Sequence, residues 1–482
     1  MNYLILLPVF LPFLAAIIVP IMKFKEKERN FFVGTAVIIN LIIVMGIFYA
    51  LGEGEIHLFK LNEFIDVFFK IDKLGILFTS LVSILWVLTS FYSMEYMKHE
   101  GKENKFFTFF IITLGVTVGI GFSGNLFTLY IFYEFLTLVT FPLVIHTESK
   151  EALESGKKYL AYSFGGATFI LLGMILLFSM TNNLNFQPHG VVRAVSTDNF
   201  NLYLGIFISM FIGFGVKAAL VPFHSWLPSA MVAPTPVSSL LHAVAVVKSG
   251  VFSLIRMCYY IFGVDVIKEL KGNIYMIVPI IITILLGSFI AIKQENLKKR
   301  LAYSTVSQLG YILLGIVLLN KNAFIGALLH LINHAVIKIT LFFVVGSIMY
   351  TTGKKNISEI NGMGRRMPVT MWCFTIASIS LIGIPPTNGF VSKWFLAQGG
   401  LTAGKIIFPA ALLLSAVLTA LYLFPVVTAA FFRNGDYENT AAKEPPKKML
   451  ISIVIITIVV VILGLFPNPI IYFIEEIASE VI

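Results

Sequence analysis

Five cationic side chains and one carboxylate stand inside long apolar runs, where a charge is costly. Lys217, Lys248, Arg256, Lys338 and Lys393 interrupt such runs, and Glu134 does so in LFTLYIFYEFLTLV. A lysine at the centre of a bilayer costs ~2.5–3.5 kcal/mol on insertion scales. Lys217 and Lys248 lie about fifteen and thirteen residues into their runs, too deep to reach headgroups by snorkelling. Groups of this kind can hold and pass an ion. The competing reading is a static ion pair that fixes helix packing. Arg256 is nearer the end of its run and reads as structural.

Histidines extend the set. LLHLINHAVIKITLFF places His330, His334 and Lys338 at i, i+4 and i+8, on one face of one helix. An HxxxH pair can bind a metal, but no third ligand is evident and Lys338 would repel a cation. Three titratable groups on one stripe suit a hydrated proton wire, because histidine changes charge near neutral pH. His224 and His242 also lie in or beside apolar runs.

The elements that must hold these residues follow from composition. Of 482 residues, 58% are hydrophobic and 12% charged, against nearer a quarter charged in soluble domains. Mean hydropathy is +0.90. A crossing helix needs ~20 apolar residues. About fourteen runs qualify, at roughly 3–22, 31–51, 74–97, 106–123, 125–146, 158–180, 202–228, 235–262, 273–292, 301–320, 323–350, 369–400, 404–432 and 449–474. They are called spans 1 to 14 below. No loop between them is long enough for a soluble catalytic domain. The net charge of +10 sits at span ends and does not point to nucleic acid. Two cysteines without a CxxC pair argue against iron–sulfur, zinc or nickel–iron ligation in this chain. The first run lacks a basic leader and a cleavage site, so a retained helix is expected.

Fourteen spans put both termini on one side. Loops on the other side carry 22 Lys and Arg, against 8 on the terminal side. The positive-inside rule makes the basic side cytoplasmic and places both termini outside.

Two spans carry helix breakers. Span 7 carries Pro222 five residues after Lys217, and span 12 contains ASISLIGIPPTNGFVSKW, with Pro385 and Pro386 beside Asn388–Gly389. Freed backbone groups at mid-membrane depth are tolerated only beside protein or water. Spans 4–8 and 9–13 are two five-helix sets, and 7 and 12 are each fourth in their set. The expected fold is therefore an all-α membrane protein of about fourteen helices with two inverted five-helix repeats. Expected boundaries are 1–105, a first repeat at 106–262, a second at 273–432 and a last span at 449–482. Lys393, beyond the span 12 break, is expected in a hydrated outlet to the outside.

These residues resemble a known family. VKAALVPFHSWLPSAMVAPTPVSSLLHAVAVVKSGVFSLIR, LYIFYEFLTL, LHLINHAVIKITLFFVVGS and IGIPPTNGFVSKW are similar to the antiporter-like subunits of respiratory complex I, Mrp-type sodium/proton antiporters and membrane-bound energy-converting hydrogenases. The likeness runs from about 100 to 430. It implies that Glu134 pairs with Lys217, that Lys248 relays inward, that His330, His334 and Lys338 continue the axis, and that Lys393 ends it. Some relatives carry Glu at that last position. It also implies homologous and small membrane subunits as partners, with iron–sulfur, nickel–iron or flavin centres only in hydrophilic redox subunits. The chain ends soon after span 14, so the long lateral helix of the most distal complex I subunit is not expected here. An energy-converting hydrogenase or complex I-like oxidoreductase in a prokaryotic cell membrane is the first expectation, and an Mrp-type Na+/H+ antiporter the alternative. A stand-alone transporter of a small anion and a purely structural scaffold are the rival classes. H+ and Na+ are both open as the ion.

Overall fold

The computed structural model describes residues 2–50, 54–61, 63, 65–193, 195, 197–433 and 443–482. The end of the 31–51 run and residues 434–442 of the loop before span 14 lie outside the described residues.

Among the described residues, twelve helices are long and apolar enough to cross a membrane, and they match spans 1–9, 11, 13 and 14. Span 10 is the helix Leu297–Val317, whose first turn carries Lys298, Lys299 and Arg300. Span 12 is two half-helices, Pro368–Ile382 and Asn388–Thr402. A helix or a pair of half-helices thus lies at each of the fourteen apolar runs. Spans 8 and 11 are buried throughout. Span 11, Lys321–Thr352, is apolar nearly all round, as a helix enclosed by other helices must be. Spans 1, 2, 6, 9 and 14 leave most of their surface uncovered. Large apolar side chains such as Leu172, Val278 and Ile458 are exposed there, as suits contact with lipid.

Loop contacts sort the ends of the spans onto two faces. On the basic face, Lys98 pairs with Glu26, Lys102 and Lys105 with Glu148, and Asn296 bridges to Asn356. The two lysines hold the exposed Glu148 carboxyl down to about 2. On the opposite face, Asn125 bridges to Asn185, Val191 bonds to Ile261 and Asn320 to Gly399. The described chain begins and ends on this second face, where the first turn packs on a hairpin and the last helix pairs with Lys73.

Four features depart from the expected elements. Residues Gly54–Lys60 and Asp66–Ile71 form an antiparallel hairpin, β1 and β2, before span 3. Span 14 stops at Leu465 rather than near 474. Pro467 has no N–H to continue the ladder, and Asn468–Val481 forms a separate amphipathic helix. Its Glu476 and Glu480 lie 3.1 and 2.7 Å from Lys73. Span 7 ends as a helix at Lys217, well before 228. Span 8 is also interrupted, between Thr235–Ala243 and Val246–Ile255, without proline or glycine at the break.

Arg256 has the structural role expected of it. Its guanidinium makes two bonds to Asp72, at 2.5 and 2.7 Å, while Asp72 also caps the span 3 helix through Gly75 N. Rings of Tyr260, Phe252 and Phe186 lie 4.7–5.2 Å from its charge.

The hairpin carries a pH dependence. The His57 ring sits between Asp66 and Glu55. Burial lowers its pKa, but its hydrogen bonds to Asp66 and Glu55 outweigh that and leave the pKa raised. A raised folded pKa means the contribution is complete below the ordinary histidine value near ~6.5 and is lost as pH rises through the folded value. Proteolysis of the hairpin in the intact protein should quicken from pH 6 to pH 8.5, and His57→Gln should remove that dependence. An unchanged dependence in His57→Gln would assign it elsewhere.

Candidate functional site

Lys217 owes its place to Pro222. The proline ring excludes a helical carbonyl four residues earlier, at Ala218, so the helix Phe200–Lys217 must end there. Lys217 is therefore in a last turn, where the negative end of the helix dipole favours a cation by about 0.3–2 kcal/mol. Its Nζ donates to the Tyr133 carbonyl at 2.5 Å and lies 3.4 Å from the centroid of the Tyr133 ring. Cation–π contact adds up to ~2 kcal/mol when desolvated. Lys217 is 1% exposed, and removing an ion from water costs several kcal/mol. These local contacts alone barely offset that cost.

Glu134 is the next residue after Tyr133 and the acid that acts on Lys217 electrostatically. The expected pair is not a closed ion pair. No Glu134–Lys217 bond occurs among the described residues, and Glu134 Oε1 is buried without a hydrogen-bond partner. The lysine sits on its neighbour's carbonyl and ring instead.

Lys248 follows directly in space. A Cβ on Gly250 would lie 2.7 Å from Ala218 N and 3.0 Å from the Lys217 carbonyl carbon, so only glycine lets span 8 cross the end of span 7 this closely. Lys248 stands in the first turn after the span 8 break, and its Nζ meets His334 Nδ1 at 2.7 Å. His242, in the last turn before the break, is fully buried with neither ring nitrogen hydrogen-bonded.

The span 11 stripe of His330, His334 and Lys338 is fully buried. Lys338 Nζ donates to the Leu301 carbonyl at 2.9 Å and to Ser304 Oγ on span 10. His330 bonds Gln308 through Nε2 at 3.0 Å and Ser392 through Nδ1 at 2.9 Å. The His330 and His334 ring centroids are 6.0 Å apart. One histidine faces an ammonium and the other two neutral side chains, so the HxxxH pair does not converge on a shared metal position.

Span 12 breaks where Pro385 and Pro386 predict. Gly383, at φ 91°, ends the first half-helix. Lys393 reaches back from the second half and donates to the freed carbonyls of Leu381 and Ile382, at 2.7 and 2.8 Å. It thereby satisfies groups that the break leaves open. Asn388 and Asn333 exchange bonds at 2.7 and 3.2 Å and tie the break to span 11. Lys217 ends its own half-helix, whereas Lys393 belongs to the second half-helix of span 12 and caps the C-terminal end of the first.

The sequence-predicted residues are brought together unevenly. Lys248 and His334 touch, and His330 bonds Ser392, the residue before Lys393. Lys338 is held by span 10, and Glu134 stands apart from its expected partner. Sequence reasoning singled out neither Ser304, Gln308, Ser392 and Asn333 nor the Tyr133 carbonyl. The side chains among them carried a signal, as polar residues inside apolar runs.

Residues 123–419 match the family described as NADH:quinone oxidoreductase/Mrp antiporter, TM, and residues 61–107 match NADH-Ubiquinone oxidoreductase (complex I), chain 5 N-terminus. The chain belongs to the NADH:quinone oxidoreductase/Mrp antiporter family. It is 34% identical over 364 residues to NADH-quinone oxidoreductase subunit N of Desulforudis audaxviator, covering 72% of this chain and 71% of that one. It is 31% identical over 440 residues to Na(+)/H(+) antiporter subunit A1 of Staphylococcus aureus, covering 87% of this chain. It spans about half of that longer relative, 53%. In fold, this antiporter-family chain superposes on a chain of the archaeal membrane-bound sulfane sulfur reductase with TM-score 0.89 and 22% identity, covering 99% and 97% of the two chains. A chain of the Mrp complex from Dietzia gives TM-score 0.87 and 19% identity, covering 100% and 98%.

Proposed function

We propose that this antiporter-like subunit moves H+ and/or Na+ across a prokaryotic cell membrane as part of a multisubunit complex. Its basic face is cytoplasmic and both termini are outside. The observation that carries this reading is the open Glu134–Lys217 couple at the head of a buried row. With Glu134 close, an opposite charge favours the ammonium. With Glu134 drawn away toward a neighbouring subunit, desolvation favours release of the proton inward to Lys248. The Lys248–His334 contact passes it on to Lys338 and His330, and it leaves beside Lys393. Moving one charge against 100 mV costs ~2.3 kcal/mol. Nothing in the row supplies that energy, so it must come from partners or from a counter-ion gradient.

A redox-driven complex, either an energy-converting hydrogenase or a complex I-like oxidoreductase, is favoured over an Mrp-type antiporter. The family likeness to subunit N over most of both chains supports this order. Iron–sulfur, nickel–iron or flavin centres then belong to partner subunits. Purification of the native complex in mild detergent tests the assignment. Hydrophilic redox subunits should co-purify in stoichiometric amount. Recovery with membrane subunits alone would favour the antiporter, and recovery as a lone chain would favour a stand-alone transporter.

A further inference from the structure

One buried lysine has no part in that row. Lys298 stands in the first turn of span 10 and is 5% exposed. Its Nζ donates to the Ala233 carbonyl at 2.5 Å, and no carboxylate lies within ion-pair distance among the described residues. The N-terminal end of a helix repels positive charge by ~0.3–1 kcal/mol, burial adds several kcal/mol, and one carbonyl bond recovers part of that.

Lys298 lies at the edge of a cavity of about 580 Å³ on the basic face. Tyr96, His99, Glu100, Glu151 and Lys355 share its lining. Several waters fit such a volume, each taking up ~30 Å³ in the liquid. Glu100 is exposed at this mouth and acts on Lys298 with a favourable charge, while Lys355 opposes it.

Inward from Lys298, polar groups continue. The Ala233 carbonyl that holds Lys298 also accepts from Ser238 Oγ at 3.3 Å. His242 is one helical turn beyond Ser238, on the same face. Both its ring nitrogens are buried and without partners, and it stands in the field of Lys338, Lys298 and Lys248. An orphaned polar group of that kind calls for a water or a functional role. The cavity, Lys298, Ser238 and His242 therefore form a polar branch from the basic face to the middle of the buried row, not to its head at Lys217.

We infer that Lys298 is the gate through which protons enter the relay from the cytoplasm, with Glu100 as the carboxylate at the cavity mouth that favours recharging of its amine there. In the closed position the proton on Nζ passes through Ser238, or a water bound to it, to an unpartnered nitrogen of His242. The neutral amine left behind swings to the cavity and is reprotonated from its water. His242 passes the proton to the row. The inference rests on the relay reading above.

The test uses the assembled complex in vesicles with the basic face outward, and follows proton uptake. Lys298→Met should lower uptake at least tenfold, with subunit composition and the thermal midpoint unchanged. Lys298→Cys should be equally slow. It should recover severalfold when treated after assembly with a membrane-impermeant ethylammonium methanethiosulfonate, which rebuilds a cation of similar reach. The neutral ethyl analogue should not restore it. Neither Cys258 nor Cys373 lines this cavity, so position 298 is the thiol the reagent meets there. If Lys298→Met complexes fail to assemble, reagent rescue of Lys298→Cys decides. Normal uptake in Lys298→Met while Lys217→Ala is stopped would place the intake elsewhere and leave the relay standing. Normal uptake in both would remove the relay and this gate together. A cysteine at 298 that does not react from the basic face would also overturn the gate.

Discussion

Replacing Lys217 with alanine is expected to stop ion translocation, by at least ~100-fold, in complexes that still assemble. A hundredfold loss corresponds to about 2.7 kcal/mol at the barrier. The lysine ties the end of the span 7 half-helix to span 5 through the Tyr133 carbonyl and ring, beside the Phe214–Tyr133 ring contact. Alanine takes away the proton carrier and also the positive charge that acts on Glu134. Some loss of stability accompanies it, since one charge of a buried couple is left alone, so assembly must be measured beside transport. Glu134→Asp keeps the charge on a shorter stem and should retain part of the activity. Normal pumping by an assembled Lys217→Ala complex would remove Lys217 from the mechanism.

Gly389→Ala is expected to have the largest effect on the fold. An added Cβ would lie 1.8 Å from the Ser380 carbonyl oxygen, and both atoms belong to backbone that cannot turn aside. The two half-helices of span 12 would have to part, breaking the Asn388–Asn333 bonds and the seat of Lys393. Overpacking of a well-packed core costs typically ~1–3 kcal/mol, and a backbone clash belongs at or above the top of that range. The yield of intact complex and its thermal midpoint should both fall sharply. Gly165→Ala is the control, since no atom lies within 4 Å of its added Cβ. Equal behaviour of the two variants would mean that the halves can move apart freely.

What could be read in advance follows from how each feature is encoded. Long apolar runs announce crossings, and lysines inside them announce themselves by their cost. Pro222, Pro385 and Pro386 announce breaks because proline removes a donor and excludes a carbonyl. The break at Val244–Ala245 has no such marker, and HAVAVVKSG reads as continuous helix. Span 14 read too long because Ile470, Ile471 and Tyr472 keep hydropathy high past Pro467, although the helix there is amphipathic. Lys298 was counted as a loop charge because it opens the triplet Lys298–Lys299–Arg300, and only packing separates the buried first member from the exposed second. The seat of Lys217 was invisible for another reason. Its acceptor is a backbone carbonyl, which every residue has, so side-chain identity singled out Glu134 instead of Tyr133.

The central claim is that the buried row conducts as one path, and Lys248 is its midpoint, next to Lys217 through Gly250 and bonded to His334. The direct measurement is ion uptake into proteoliposomes holding the purified complex, compared between the native protein and Lys248→Met. Methionine keeps the bulk and removes the charge and the proton. Uptake in Lys248→Met should fall to the level of empty liposomes with every subunit still present. Uptake at the native rate in Lys248→Met would contradict that claim.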